Sequence, residues 1–106
     1  MIYEIREYTI KDARREEWVA LMEEKIIPFQ ISCGIVVVAS FVSDEDESTY
    51  VWIRRFADEK ERTDLYEAVY ESDFWVNEMG PLVEAMLDRD KSRVLKLVPT
   101  DKSVLN

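Results

Sequence analysis

The chain has 106 residues, enough for one domain that buries roughly two thirds of the surface its unfolded form exposes and folds without disulfides. It carries 14 Lys and Arg against 23 Asp and Glu, a formal charge of −9, which repels nucleic-acid phosphates and anionic lipid heads. It has no histidine and a single cysteine, Cys33, which excludes Ser-His-Asp triads, Cys-His dyads, His-ligated haem, zinc or iron, and thiolate-only metal clusters. Any catalysis must therefore rest on carboxylates, arginine, lysine, tyrosine, tryptophan or backbone groups. One free thiol suits a reducing cytoplasm. The longest apolar run, Ile35 to Ala39, is far short of a membrane span, and MIYEIREY lacks the apolar stretch of a signal peptide. The expectation is a cytoplasmic protein with no cofactor, no metal, no nucleic-acid partner and no membrane partner.

Residues 2 to 10, IYEIREYTI, alternate as a strand does. Asp12 precedes an amphipathic segment, 14 to 33. There Trp18, Leu21, Met22, Ile26 and Phe29 form one apolar helical stripe. Pro28 removes a backbone donor and predicts a kink or restart, and Gly34 predicts the stop. The apolar, β-branched run 35 to 42 and the stretch 49 to 56, TYVWIRRF, flank the polar turn DEDES and predict a hairpin. Asp58 predicts the cap of a second helix reaching about Tyr70, with Leu65, Tyr66 and Val69 toward the core. A third helical segment spans about 74 to 87, bent at Gly80-Pro81. Residues 92 to 98, SRVLKLV, predict a last strand. The acidic runs Asp44 to Glu47 and Asp58 to Glu61 lack the alternating ligands of a calcium loop and read as a turn and a helix start.

The order β-α-β-β-α-β over 1–106 predicts one α+β, ferredoxin-like domain. Its four-stranded antiparallel sheet has strands one and three central, with the helices on one face. A shift of 48 residues superposes Ile5 on Ile53, Arg6 on Arg54, Arg14 on Arg62 and Trp18 on Tyr66, in keeping with the internal two-fold of that plan.

Hydrophobicity assigns Ile5, Val51 and Ile53 to the helix-covered face. Arg55 falls with them by parity and is expected to snorkel to water. The other face then gathers Glu4, Arg6, Tyr8, Tyr50, Trp52 and Arg54. That mixture is too aromatic to be left in water. It predicts a homodimer with facing sheets and an aromatic, sparsely charged pocket between them.

The stretches IYEIREYTIKDARREEW, EEKIIPFQISCG, YVWIRRF and SDFW resemble the NIPSNAP family, and the likeness covers nearly the whole chain. The resemblance implies a ferredoxin-like subunit whose sheet pairs with another to close a dimeric α/β barrel. It implies little about activity, because that superfamily includes cofactor-free monooxygenases, isomerases and haem-handling enzymes. The missing histidine counts against haem and against histidine-based acid–base chemistry.

Glu4, Arg6, Tyr8, Trp52 and Arg54 are the candidate ligand-binding residues. Arginine forks suit a carboxylate or carbonyl, Glu4 suits a base, Tyr8 a proton or hydrogen-bond donor and Trp52 a stacking wall. The same residues equally suit an ion-pair network and packing across a dimer interface. Trp18 belongs to the core stripe, and Trp75 to the core or the rim of a pocket. The leading reading is a small-molecule-binding homodimer. The alternatives are a cofactor-independent oxygenase or isomerase for an aromatic or polyketide-like substrate, and an interaction module without ligand.

Overall fold

Two-residue and 3.6-residue periodicities alternate along the chain, and the computed structural model, which describes residues 1–106, follows them to within a residue or two. The elements are β1 (Ile2–Thr9), α1 (Arg15–Leu21), a π turn (Met22–Ile26), α2 (Ile27–Ser32), β2 (Val36–Val42) and β3 (Thr49–Phe56). After them come α3 (Glu59–Tyr70), a second π turn (Trp75–Met79), α4 (Gly80–Met86), a short 3-10 turn (Arg89–Lys91) and β4 (Arg93–Leu97). The strands pair antiparallel in the order β2-β3-β1-β4, so the α+β, ferredoxin-like plan holds, with β1 and β3 central. No helix is long and apolar enough to cross a membrane.

Local chemistry accounts for the boundaries. The Asp58 carboxylate accepts a hydrogen bond from the Glu61 amide at 2.8 Å and starts α3. Gly34 ends α2 at φ +107°, a conformation closed to most side chains.

The two helical prolines, Pro28 and Pro81, each disturb their helix through the turn that precedes them. Each sits second in a helix that continues unbroken from a π turn. A proline ring clashes with the carbonyl four residues back. Here the preceding turn opens instead: the Ile27 amide donates to the Met22 carbonyl and the Gly80 amide to the Trp75 carbonyl, both five residues back. Glycine suits position 80, since a Cβ there would stand a tight 3.0 Å from the Trp75 carbonyl oxygen.

The facing of the sheet is the reverse of the hydrophobic expectation. In β3 it is Tyr50, Trp52, Arg54 and Phe56 that lie under the helices, each exposed by 2% or less. Glu4, Arg6 and Tyr8 share that side, because Glu4 pairs with Arg54, Arg6 with Trp52 and Tyr8 with Tyr50. Ile5, Val51, Ile53 and Arg55 point to the uncovered face. The reason is area. Large aromatics bury about 150–250 Å² apiece, more than an isoleucine can offer, and the charges between them find partners on the helices. Arg55, awkward under helices, is at ease on the open side.

That open face is apolar at its centre. Ile5 and Ile53 are half-buried neighbours, flanked by Leu95 and Leu97 of β4 and by Val51 and Phe41. Phe41, Leu95 and Leu97 are 53%, 45% and 42% exposed.

Candidate functional site

The site begins with one carboxylate. Glu4 is fully buried on β1, and three guanidiniums converge on it. Arg6 Nε donates to Glu4 Oε1 at 2.7 Å, Arg54 Nη2 donates to the same oxygen, and Arg62 Nε donates to Oε2 at 3.0 Å. The Tyr66 hydroxyl donates its proton to Oε2 and accepts from Arg6 Nη2 and Arg54 Nη2, both at 2.8 Å. Arg54 Nη1 donates to Gln30 Oε1 at 2.7 Å and to the Tyr70 hydroxyl at 2.8 Å. Its guanidinium lies 4.6 Å from the Trp52 ring centre, a cation–π distance.

Burial alone would push the Glu4 carboxyl up, but the Arg54 and Arg6 charges and the Tyr66 hydrogen bond overcome it and hold the group at about 2. The carboxylate thus stays ionised and is no general base. Three guanidiniums against one carboxylate leave two positive charges in excess. Glu59, which meets Arg62, and Lys96, which meets Glu59, add one charge of each sign at the exposed rim and leave that excess unchanged.

Beside the cluster lies a cavity of about 360 Å³ between the sheet and the helices. Its polar wall is Arg6, Tyr8, Trp52, Tyr66 and Tyr70. The π turns supply Met22, Ile26 and Trp75, and α4 and its end supply Val83 and Leu87. Trp18 lines it from α1, and all three tryptophans of the chain therefore face one space. Arg89, Ser92 and Val94 form the more exposed side, toward the β4 edge.

Of the five candidate residues, Arg6, Tyr8 and Trp52 line the cavity. Glu4 and Arg54 stand behind it as the ion pair that fixes Arg6 and Tyr70. The space they serve lies within the chain itself, between sheet and helices, and not on the uncovered face where parity had put them. Trp52 Nε1 donates to the Tyr8 hydroxyl at 3.1 Å, joining two candidates directly. Sequence reasoning missed Arg62, Tyr66 and Tyr70 as members of the site. Their spacing of four residues on α3 was the available signal, since it puts them on one helical face. Trp75, expected at the core or a rim, is a cavity wall.

A family model described as NIPSNAP matches residues 3–102. No curated protein matches the chain. Among solved structures, a NIPSNAP family protein from Agrobacterium tumefaciens is 24% identical, with a TM-score of 0.87 over 99% of this chain and 98% of that one. An uncharacterised NIPSNAP domain protein from Burkholderia xenovorans is 16% identical, with a TM-score of 0.84 over 97% and 98%. An antibiotic biosynthesis monooxygenase is 18% identical, with a TM-score of 0.70 over 94% and 99%, a likeness of fold. The family model spans nearly the whole chain, and the strands and helices described above are those its structural relatives share: the chain belongs to the NIPSNAP family.

Proposed function

We propose that this protein binds a small molecule in the cavity between its sheet and its helices, and that it does so as a homodimer joined through the open sheet face. One observation carries the binding reading. A 360 Å³ space with aromatic and aliphatic walls meets a rigid row of hydrogen-bonding groups on one side. The ligand is partly apolar and presents a carbonyl or carboxylate to Arg6. The buried Glu4–Arg54–Tyr66 network supports Arg6 from behind, so the guanidinium is already oriented before a ligand arrives.

The three tryptophans make the reading easy to test. A bound aromatic acid changes their emission, and native mass spectrometry of freshly purified protein retains a small molecule. Val83→Trp pushes an indole into the cavity and abolishes both signals while circular dichroism stays unchanged. Unaltered binding in that variant would place the ligand elsewhere.

The open face supports the dimer. Its centre is apolar, and its charges are Glu7, Arg55 and Arg93, so a chain of net charge −9 keeps most of its acidic surface outside the contact. Ile53→Lys is expected to give a folded monomer by light scattering at micromolar concentration. A wild-type protein that is itself monomeric there would refute the dimer.

A second reading, a cofactor-independent oxygenase or isomerase in the same cavity, draws support from the fold likeness to the monooxygenase. It requires turnover of the ligand once identified, with Arg6 and Tyr8 as the groups in contact.

A further inference from the structure

The cavity's polar groups are unequally matched. Arg6 spends Nε on Glu4 and Nη2 on Tyr66, and its Nη1 has no protein partner. The Tyr70 oxygen accepts from Arg54 Nη1 at 2.8 Å and from Gln30 Nε2 at 3.3 Å, and its own proton has no acceptor. The Tyr8 oxygen accepts from Trp52 Nε1, and its proton likewise has none. Trp18 Nε1 is buried and unpaired. No carboxylate lines the cavity. Apart from the Ser92 hydroxyl at the exposed side and the lone pairs of hydroxyls that already accept, the side-chain polar groups facing this space are donors.

Charge points the same way. The cluster of Glu4 and Arg6 on β1, Arg54 on β3 and Arg62 and Tyr66 on α3 carries two excess positive charges. On the exposed side Arg89 stands 3.6 Å from Glu84. The π turns and α4 offer no charged or hydrogen-bond-accepting side chain to the cavity. Burial pushes the Tyr8 hydroxyl up, against the opposing pull of Arg6, so it remains a donor at neutral pH.

We infer that the cavity selects its ligand as an oxyanion: a planar, largely apolar weak acid, phenolic, enolic or carboxylic, held by Arg6, Tyr8 and Tyr70 in its deprotonated form. This rests on the binding reading above and goes beyond it by naming the ionisation state. An amine or cation finds no carboxylate here and meets the two excess positive charges of the cluster. A neutral phenol brings a further donor to a wall of donors, whereas its phenolate brings only acceptors. A weak acid whose pKa lies near the working pH therefore releases a fraction of a proton to solvent on binding.

The test uses 4-nitrophenol, whose phenolate and phenol have distinct absorption spectra, with the full-length protein in excess. Tryptophan emission reports binding, and the spectrum reports the pKa of the bound probe. A bound pKa at least about one unit below the free value, equal to a tenfold preference for phenolate, is expected. Its methyl ether, which lacks the acidic proton, binds at least about tenfold more weakly than the phenolate by the same preference. Arg6→Met, which keeps an apolar stem, shrinks the pKa shift. A bound pKa equal to or above the free value, or equal affinity for the ether, overturns the anion selection and leaves the binding reading standing. If neither probe changes tryptophan emission, the binding reading fails and the inference fails with it.

Discussion

Glu4→Gln is expected to destabilise the fold by about 3–5 kcal/mol, measured by urea unfolding at neutral pH, a large share of the roughly 5–15 kcal/mol that a domain possesses. The glutamine keeps the shape but loses the charge. Arg6, Arg54 and Arg62 then face one another with no anion among them, and the Tyr66 proton loses its carboxylate acceptor. Adding Arg54→Met to Glu4→Gln recovers part of the loss, because it removes one of the stranded charges. The effect also has a pH signature. Glu4 is held at about 2 in the folded protein against 4.5 for an ordinary glutamate, so the unfolded chain takes up its proton first as pH falls. The stabilisation is complete above about pH 4.5 and fades as pH drops toward 2, amounting to roughly 3 kcal/mol in all. The gap between wild type and variant therefore narrows through that window. A gap that stays constant from pH 7 down to about 3 would mean that the carboxylate is not the anion of the cluster.

Trp52→Ala is expected to cost about 3–5 kcal/mol and to weaken ligand binding in whatever fraction stays folded. Trp52 is 2% exposed and does three things at once. It packs in the main core with Trp18, Met22 and Ile26, it stacks under the Arg54 guanidinium, and its indole N–H holds the Tyr8 hydroxyl. Trp52→Phe separates these roles. The ring and most of the packing remain, while the hydrogen bond to Tyr8 is lost at a cost of about 1 kcal/mol. Thermal unfolding gives the stabilities, and titration with the nitrophenol probe gives the affinities. If Trp52→Phe binds as tightly as wild type, the indole N–H has no part in orienting Tyr8.

The positions of the elements were legible because periodicity is a local property. TYVWIRRF alternates within eight residues, and Asp58 and Gly34 mark helix ends by their own backbone chemistry. The face of the sheet was not legible in the same way. Apolar residues go inside only if charged ones cannot be satisfied there, and Glu4 and both Nη atoms of Arg54 find partners in Arg62, Tyr66, Tyr70 and Gln30, which come from other elements, with only Arg54 Nε left unpaired. Only the register of β1 on β3 and the packing of α2 and α3 bring those partners together. The even-numbered aromatics Tyr50, Trp52 and Phe56 were the better guide, since three bulky rings on one side of a strand outweigh two aliphatic residues on the other. The cavity was legible in its chemistry, with Arg6, Tyr8 and Trp52 all named, but not in its location. The π turns that widen its floor were hidden too, because Pro28 and Pro81 announce a disturbed helix without saying whether it breaks or dilates.

The arginine–carboxylate cluster gives the cavity a constant electrical background. Glu4 releases its proton far below neutrality, burial pulls Arg6, Arg54 and Arg62 down but Glu4 and the neighbouring tyrosines overcome it and lift them above their already high range, and burial lifts Tyr8 and Tyr66 above the usual phenol. No histidine exists to titrate in between. Across the physiological span these groups neither gain nor lose a proton, so the potential they impose on the cavity does not drift with the acidity of the surroundings. A pH dependence of occupancy in that span would then be the ligand's own titration curve, displaced by a fixed field.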